Sequence, residues 1–111
     1  MDKKRAEELK EILVLKIEST SDWRAEKAGE YPNDATHNLE AAKALSELAE
    51  YVKSLPDDHF LFMKLVRFVE THHSIERETE AESELIKSYG YQVPPSPEDF
   101  IKDIINIYSE E

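Results

Sequence analysis

The side chains best suited to bind a metal or move a proton are His37, His59, His72 and His73, set among 25 acidic residues. His72 and Glu76 stand four residues apart, with His73 alongside and Glu80 one turn further on. A helix continuing through Ser74 brings His72, Glu76 and Glu80 together, a donor set that suits a divalent cation. The segment lacks the repeated Glu-x-x-His pairs of carboxylate-bridged centres. The simpler reading is a histidine at a helix end, where its positive form meets the negative pole of the backbone. His59 beside Asp57 and Asp58 can be drawn as an acid/base group, but near a helix start these residues read more simply as caps and dipole partners.

Nucleophilic and cofactor chemistry find less support. There is no cysteine and no Gly-x-Ser-x-Gly elbow, and two glycines do not build a phosphate-cradling loop. The expectation is therefore no enzyme, no cofactor and no metal, with His72, His73 and Glu76 as the metal-binding alternative.

Two groups of residues suit recognition instead. Trp23, Arg24, Lys27 and Tyr31 bring the single Trp, two bases and a Tyr into one short segment. On a helical wheel Trp23, Arg24 and Lys27 share a side, so the indole can lie under a cation, and such residues are common interface anchors. The competing reading has Trp23 capping the core while Arg24 and Lys27 pair with carboxylates. The second group is Glu76, Glu78, Glu80, Glu82 and Glu84. On a helix, Glu76, Glu80 and Glu84 form one row of like charge, a docking strip for a basic partner or a merely solvated face.

Charge narrows the partner. The net charge is -11, and residues 74–111 carry 10 acids against 3 bases. So negative a chain repels phosphate backbones, which excludes direct nucleic-acid binding as an expectation. An acidic surface can steer a basic protein or imitate a nucleic acid on a protein that binds one. The apolar runs are all shorter than the roughly 18 residues of a membrane span, and the first residues lack a signal-peptide pattern. A cytoplasmic protein without membrane contact is expected.

These residues must be positioned by helices. In 111 residues with 2 Gly and 5 Pro, turn residues are too sparse for an all-β chain. Apolar residues recur at a period near 3.6, and the reading is all-α: a compact single-domain helical bundle of about five helices with short connections. The expected helices span about residues 4–19, 22–28, 34–54, 57–72, 75–89 and 97–109, the second being short. Ser19 to Asp22 supply caps that separate the first two, Gly29 suits a left-handed cap, and Asn33 or Asp34 caps the third. Ala35, Leu39, Ala42, Leu45, Ala49 and Val52 form the inner face of that third helix. The helix from Phe60 to Val69 is apolar nearly all round, as is the run Ile12 to Ile17. Both want cover on several sides, so self-association into a homo-oligomer is expected. Gly90 reads as a C-cap, and Ser96-Pro97-Glu98-Asp99 as the start of the last helix. The functional expectation is a non-enzymatic protein–protein interaction or regulatory module. The alternative within that class is an acidic inhibitor or DNA mimic.

Overall fold

The longest element of the computed structural model, which describes residues 3–72, 80–90 and 96–109, is the 28-residue helix α1 (Lys3–Glu30). At 1.5 Å per residue it runs about 42 Å. It therefore sets the long axis of a molecule whose extents are 47 × 24 × 21 Å. Ala6, Leu9, Leu13 and Ile17 follow one another at three- and four-residue steps and are buried, with Val14 and Ala28 beside them.

The expected break between residues 19 and 22 is absent: the helices expected at 4–19 and 22–28 are one. Nothing in Ser19-Thr20-Ser21-Asp22 lacks an N–H or forces a positive φ, and the hydroxyls bond elsewhere. Thr20 Oγ1 donates to the Lys16 carbonyl at 2.9 Å, back along the helix, and Ser21 Oγ donates to the Ala42 carbonyl at 2.7 Å on the next helix. A hydroxyl satisfied in this way does not compete for the backbone N–H groups that a new N-terminus would leave free. Gly29 likewise lies within α1 and is not a left-handed cap.

A 3-10 turn at Pro32–Asp34 reverses the chain into α2 (Ala35–Ser54), which packs back along α1. Asp34 takes the N-cap position as expected, but without a side-chain hydrogen bond. Buried Ala41, Ala42 and Ala49 let the two helices approach closely, while Leu45, Leu48 and Val52 fill the core. Leu39, expected on the inner face, is 54% exposed, and Asn38 is buried in its place. Asn38 is held there by Arg24 of α1, while Ala42, Leu45, Ala49 and Val52 keep the inner face as expected.

Helix α3 (Phe60–His72) begins three residues later than expected. Leu61, Phe62, Leu65, Val66 and Val69 are buried, but Phe60 at its first position is 72% exposed. Helices α4 (Glu80–Ser88) and α5 (Pro97–Ser109) complete a small all-α bundle. Residues 75–79 of the expected fifth segment lie outside the described residues. The Ser96 signal works as expected: its Oγ accepts the Asp99 N–H at 3.4 Å and its carbonyl accepts the Phe100 N–H at 3.1 Å.

Side-chain contacts fix the helix directions. Lys16 meets Glu82 and Arg24 meets the Lys87 carbonyl, so α4 runs in the same sense as α1. Glu82 meets Tyr108 and Tyr89 meets Phe100, so α5 runs against α4. No described helix is long and apolar enough to cross a membrane.

Gly90 closes α4 with φ 83° and packs against α2 so closely that a Cβ there would stand 2.8 Å from Ala44 Cβ and 3.1 Å from Ala41 Cα. Gly29 has open space around its Cα and no positive φ. The two glycines should therefore respond oppositely to alanine. Gly90→Ala is expected to cost about 2–4 kcal/mol, combining left-handed strain with overpacking. Gly29→Ala should stabilise by about 0.4–1 kcal/mol. Urea denaturation of both variants reads the contrast; equal effects would remove the close approach of α4 to α2.

Candidate functional site

The aromatic and basic residues singled out in the sequence gather at the C-terminal end of α1. The Arg24 guanidinium lies 4.7 Å from the centroid of the Trp23 ring, and the Lys87 ammonium of α4 lies 5.8 Å from the same ring. Cations at these distances are held by the ring's negative faces, by about 0.5–1 kcal/mol where exposed. Arg24 also reaches Asn38 Oδ1 at 3.3 Å on α2 and donates to the Lys87 carbonyl in the last turn of α4. A guanidinium at that position satisfies a helix-terminal carbonyl and faces the negative end of the helix dipole. Arg24 thus ties three helices together, and Trp23 is half-buried among these groups.

Lys27 and Tyr31 stand further out. The Lys27 ammonium is 5.7 Å from the Tyr31 ring centroid and 2.9 Å from Glu30 Oε2. The Glu30 hydrogen bond holds the Lys27 ammonium above its ordinary pKa. Tyr31 is 55% exposed where α1 ends against Pro32.

The acidic segment is divided by the fold. Glu80 and Glu84 are exposed on α4, whereas Glu82 between them is only 1% exposed. Its carboxylate accepts a 2.7 Å hydrogen bond from the Tyr108 hydroxyl of α5 and pairs with the Lys16 ammonium of α1 at 3.3 Å. The sequence reading missed this cluster of Lys16, Glu82 and Tyr108. Its signal was present: Glu82, Ile86 and Tyr89 stand at i, i+4 and i+7, so the inner row of α4 begins with a carboxylate. Glu76 of the expected row lies outside the described residues.

The metal reading turns on residues of the same undescribed stretch. His72 is the last residue of α3, but its side chain, His73 and Glu76 lie outside the described residues. Among the described residues no three His, Asp or Glu side chains are grouped to hold a metal ion.

His59 serves as a cap. Its Nδ1 accepts the Leu61 N–H at 3.1 Å and its carbonyl accepts the Met63 N–H at 3.1 Å. Asp57, two residues before it, instead pairs with Lys10 at 2.7 Å, and the Lys10 hydrogen bond lowers its pKa. Burial pushes the His59 pKa down, partly opposed by Asp58.

No protein family, curated protein or solved structure matches this chain.

Two measurements follow from this geometry. Glu82→Ala should cost about 3–5 kcal/mol, because it strands a partly buried ammonium, and Tyr108→Phe about 1–3 kcal/mol. Replacing the pair together, Lys16→Met with Glu82→Leu, should recover most of the loss, since apolar residues of similar volume can substitute for a buried ion pair. Additive losses in this cycle would mean that the two groups are not coupled.

His59 gives a dependence on pH. An Nδ1 that accepts an amide proton must be unprotonated, and the folded pKa lies below the unfolded value of about 6.5. Stability is therefore complete above about pH 6.5. It is lost as pH falls toward the folded pKa, because the unfolded state takes up the proton first. His59→Asn keeps a capping oxygen that does not titrate. The difference in Tm between wild type and this variant should fall between about pH 7.5 and 5.5. A constant difference would rule out the neutral imidazole as the cap.

Proposed function

We propose that the chain is a non-enzymatic protein-binding module whose docking face is centred on Tyr31 and Lys27, at the junction of α1 and α2. The observation that supports this reading is a tyrosine 55% exposed at a turn stiffened by Pro32, with a cation 5.7 Å from its ring. Side chains of this type lose little entropy on docking and recur as interface hot spots. Trp23 and Arg24 then play a different part from the one their types suggest. They hold the end of α1 against α2 and α4, so that Tyr31 is presented from a rigid base.

A second reading is favoured by α4. Glu80 and Glu84 are exposed four residues apart, and neither has an ion-pair partner among the described residues. In this reading the strip steers a basic protein, including one that ordinarily binds nucleic acid, and acts as an acidic inhibitor.

The test starts from capture in native lysate at low and high salt, identification of the captured protein, and rate measurements with that protein purified. Tyr31→Ala is expected to speed dissociation by about tenfold or more with little change in Tm. Glu80→Gln with Glu84→Gln should instead slow association at low salt, where steering is least screened. An unchanged dissociation rate for Tyr31→Ala removes the first reading, and an unchanged association rate for the glutamine pair removes the second.

A further inference from the structure

Midway along α1, on a surface separate from the Tyr31 end, a groove of about 360 Å³ lies between α1 and α2. Val14 floors it, Leu15 stands 62% exposed at its side, and Lys10, Glu11, Glu18 and, from α2, Lys53 rim it. A single exposed leucine is ordinary on a protein surface. This one adjoins a concavity within the range, roughly 300–1,000 Å³, of pockets that bind ligands.

The cations of the rim are already engaged. Lys10 Nζ pairs with Asp57 Oδ1 at 2.7 Å, donates to the Leu55 carbonyl and faces the Phe62 ring, so its charge is spent on the connection between α2 and α3. Lys53 Nζ stands between Glu50 Oε1 at 3.2 Å and Glu18 Oε1 at 3.7 Å. Glu11 is exposed and has no ion-pair partner among the described residues. Two ammonium groups, Lys10 and Lys53, thus stand against four carboxylates, Glu11, Glu18, Glu50 and Asp57, which leaves two negative charges beside an apolar floor. Such a rim repels a second copy of a chain whose net charge is -11 and attracts a cationic partner.

Shape selects the form of that partner. The α1 wall of the groove extends from Lys10 to Glu18, eight residue steps or about 12 Å. This is the reach of apolar anchors at i, i+3 or i+4, and i+7 on an incoming helix, the spacing by which amphipathic helices lie in apolar grooves. Cations flanking those anchors then meet Glu11 toward one end and Glu18 with Glu50 toward the other.

We infer that this groove is the docking site for a basic amphipathic helix of a partner protein, whose apolar side chains cover Val14 and Leu15 and whose cations meet Glu11, Glu18 and Glu50. It does not depend on the Tyr31 reading or on the Glu80 and Glu84 strip, and each can fail without the others.

The probe is a fluorescently labelled synthetic helix of about 18 residues, with leucines at that spacing on one face and lysines on the other. One control peptide has the same composition in scrambled order, and a second has glutamate in place of lysine. Anisotropy titrations against the chain read the affinity, with circular dichroism melts confirming that each variant is folded. The amphipathic peptide should bind about tenfold or more tighter than either control. Leu15→Ser should weaken it by about tenfold. Glu11→Lys should weaken it by a similar factor, about tenfold, and flatten its salt dependence. Glu80→Lys with Glu84→Lys makes a larger change of net charge away from the groove and should alter the affinity by less than about threefold. Equal binding of the scrambled peptide, an unchanged affinity for Leu15→Ser or Glu11→Lys, or a loss in the α4 variant as large as that in Glu11→Lys would each overturn the inference. So would sedimentation of the chain alone as a dimer that Leu15→Ser dissociates, because the groove would then belong to a second copy.

Discussion

A carboxylate withdrawn from water sets the arrangement of the helices. Glu82 is 1% exposed, and moving an ion of this kind into the interior costs several kcal/mol unless donors meet it there. Lys16 supplies one from α1 and Tyr108 another from α5. The Tyr108 ring stands edge-on to Phe68 of α3, with centroids 5.1 Å apart, so four of the five described helices meet through this contact. Apolar surfaces tolerate sliding by a turn, because one methyl group can replace another at modest cost. A buried ion does not: shifting α4 by one turn would remove both donors together. The polar cluster thus selects one register from several that the hydrophobic effect alone would accept.

The remaining contacts divide the work between close packing and polar ties. Between α1 and α2 the contact is made by alanines and aliphatic residues, with Ser21 reaching the Ala42 carbonyl. Helix α4 has nine described residues, too few to be stable alone in water, and is held at both ends. Near its start Glu82 is buried against Lys16, and in its last turn Arg24 accepts the role of donor to the Lys87 carbonyl. Gly90 then brings the chain against Ala41 and Ala44 of α2. The rigidity of the Trp23 end follows from these ties, and Tyr31 inherits it.

The same ties sort the acidic residues. Three glutamates of α4 at alternate positions do not face one way on a helix: Glu80 and Glu84 are exposed and Glu82 is enclosed. The exposed pair repel each other by about 0.2–0.5 kcal/mol. That is small beside the cost of burying Glu82 without its partners. Surface repulsion of this size is tolerated.

The helical class, the start and end of α5, the cap at Gly90 and the close approach allowed by the α2 alanines were all legible before any helix was placed. Each of these rests on forces acting within a few residues: periodicity, a serine oxygen before a proline, a backbone free to take positive φ. The continuity of α1 was not legible in the sequence, because Ser19 to Asp22 have the chemistry of a cap and the partner that occupies Ser21 lies 21 residues away. Nor were the exposure of Leu39 and Phe60 or the inward turn of Glu82. A wheel ranks residues by apolarity, whereas tertiary structure ranks them by what stands opposite. Tyr31 was legible as an anchor type, but its exposure and the capture of Arg24 by α2 and α4 were decided only when the helices met. The physical reason is range: caps and periodicity act over one or two turns, while the burial of a charge depends on donors brought from 66 residues back in the chain and 26 ahead.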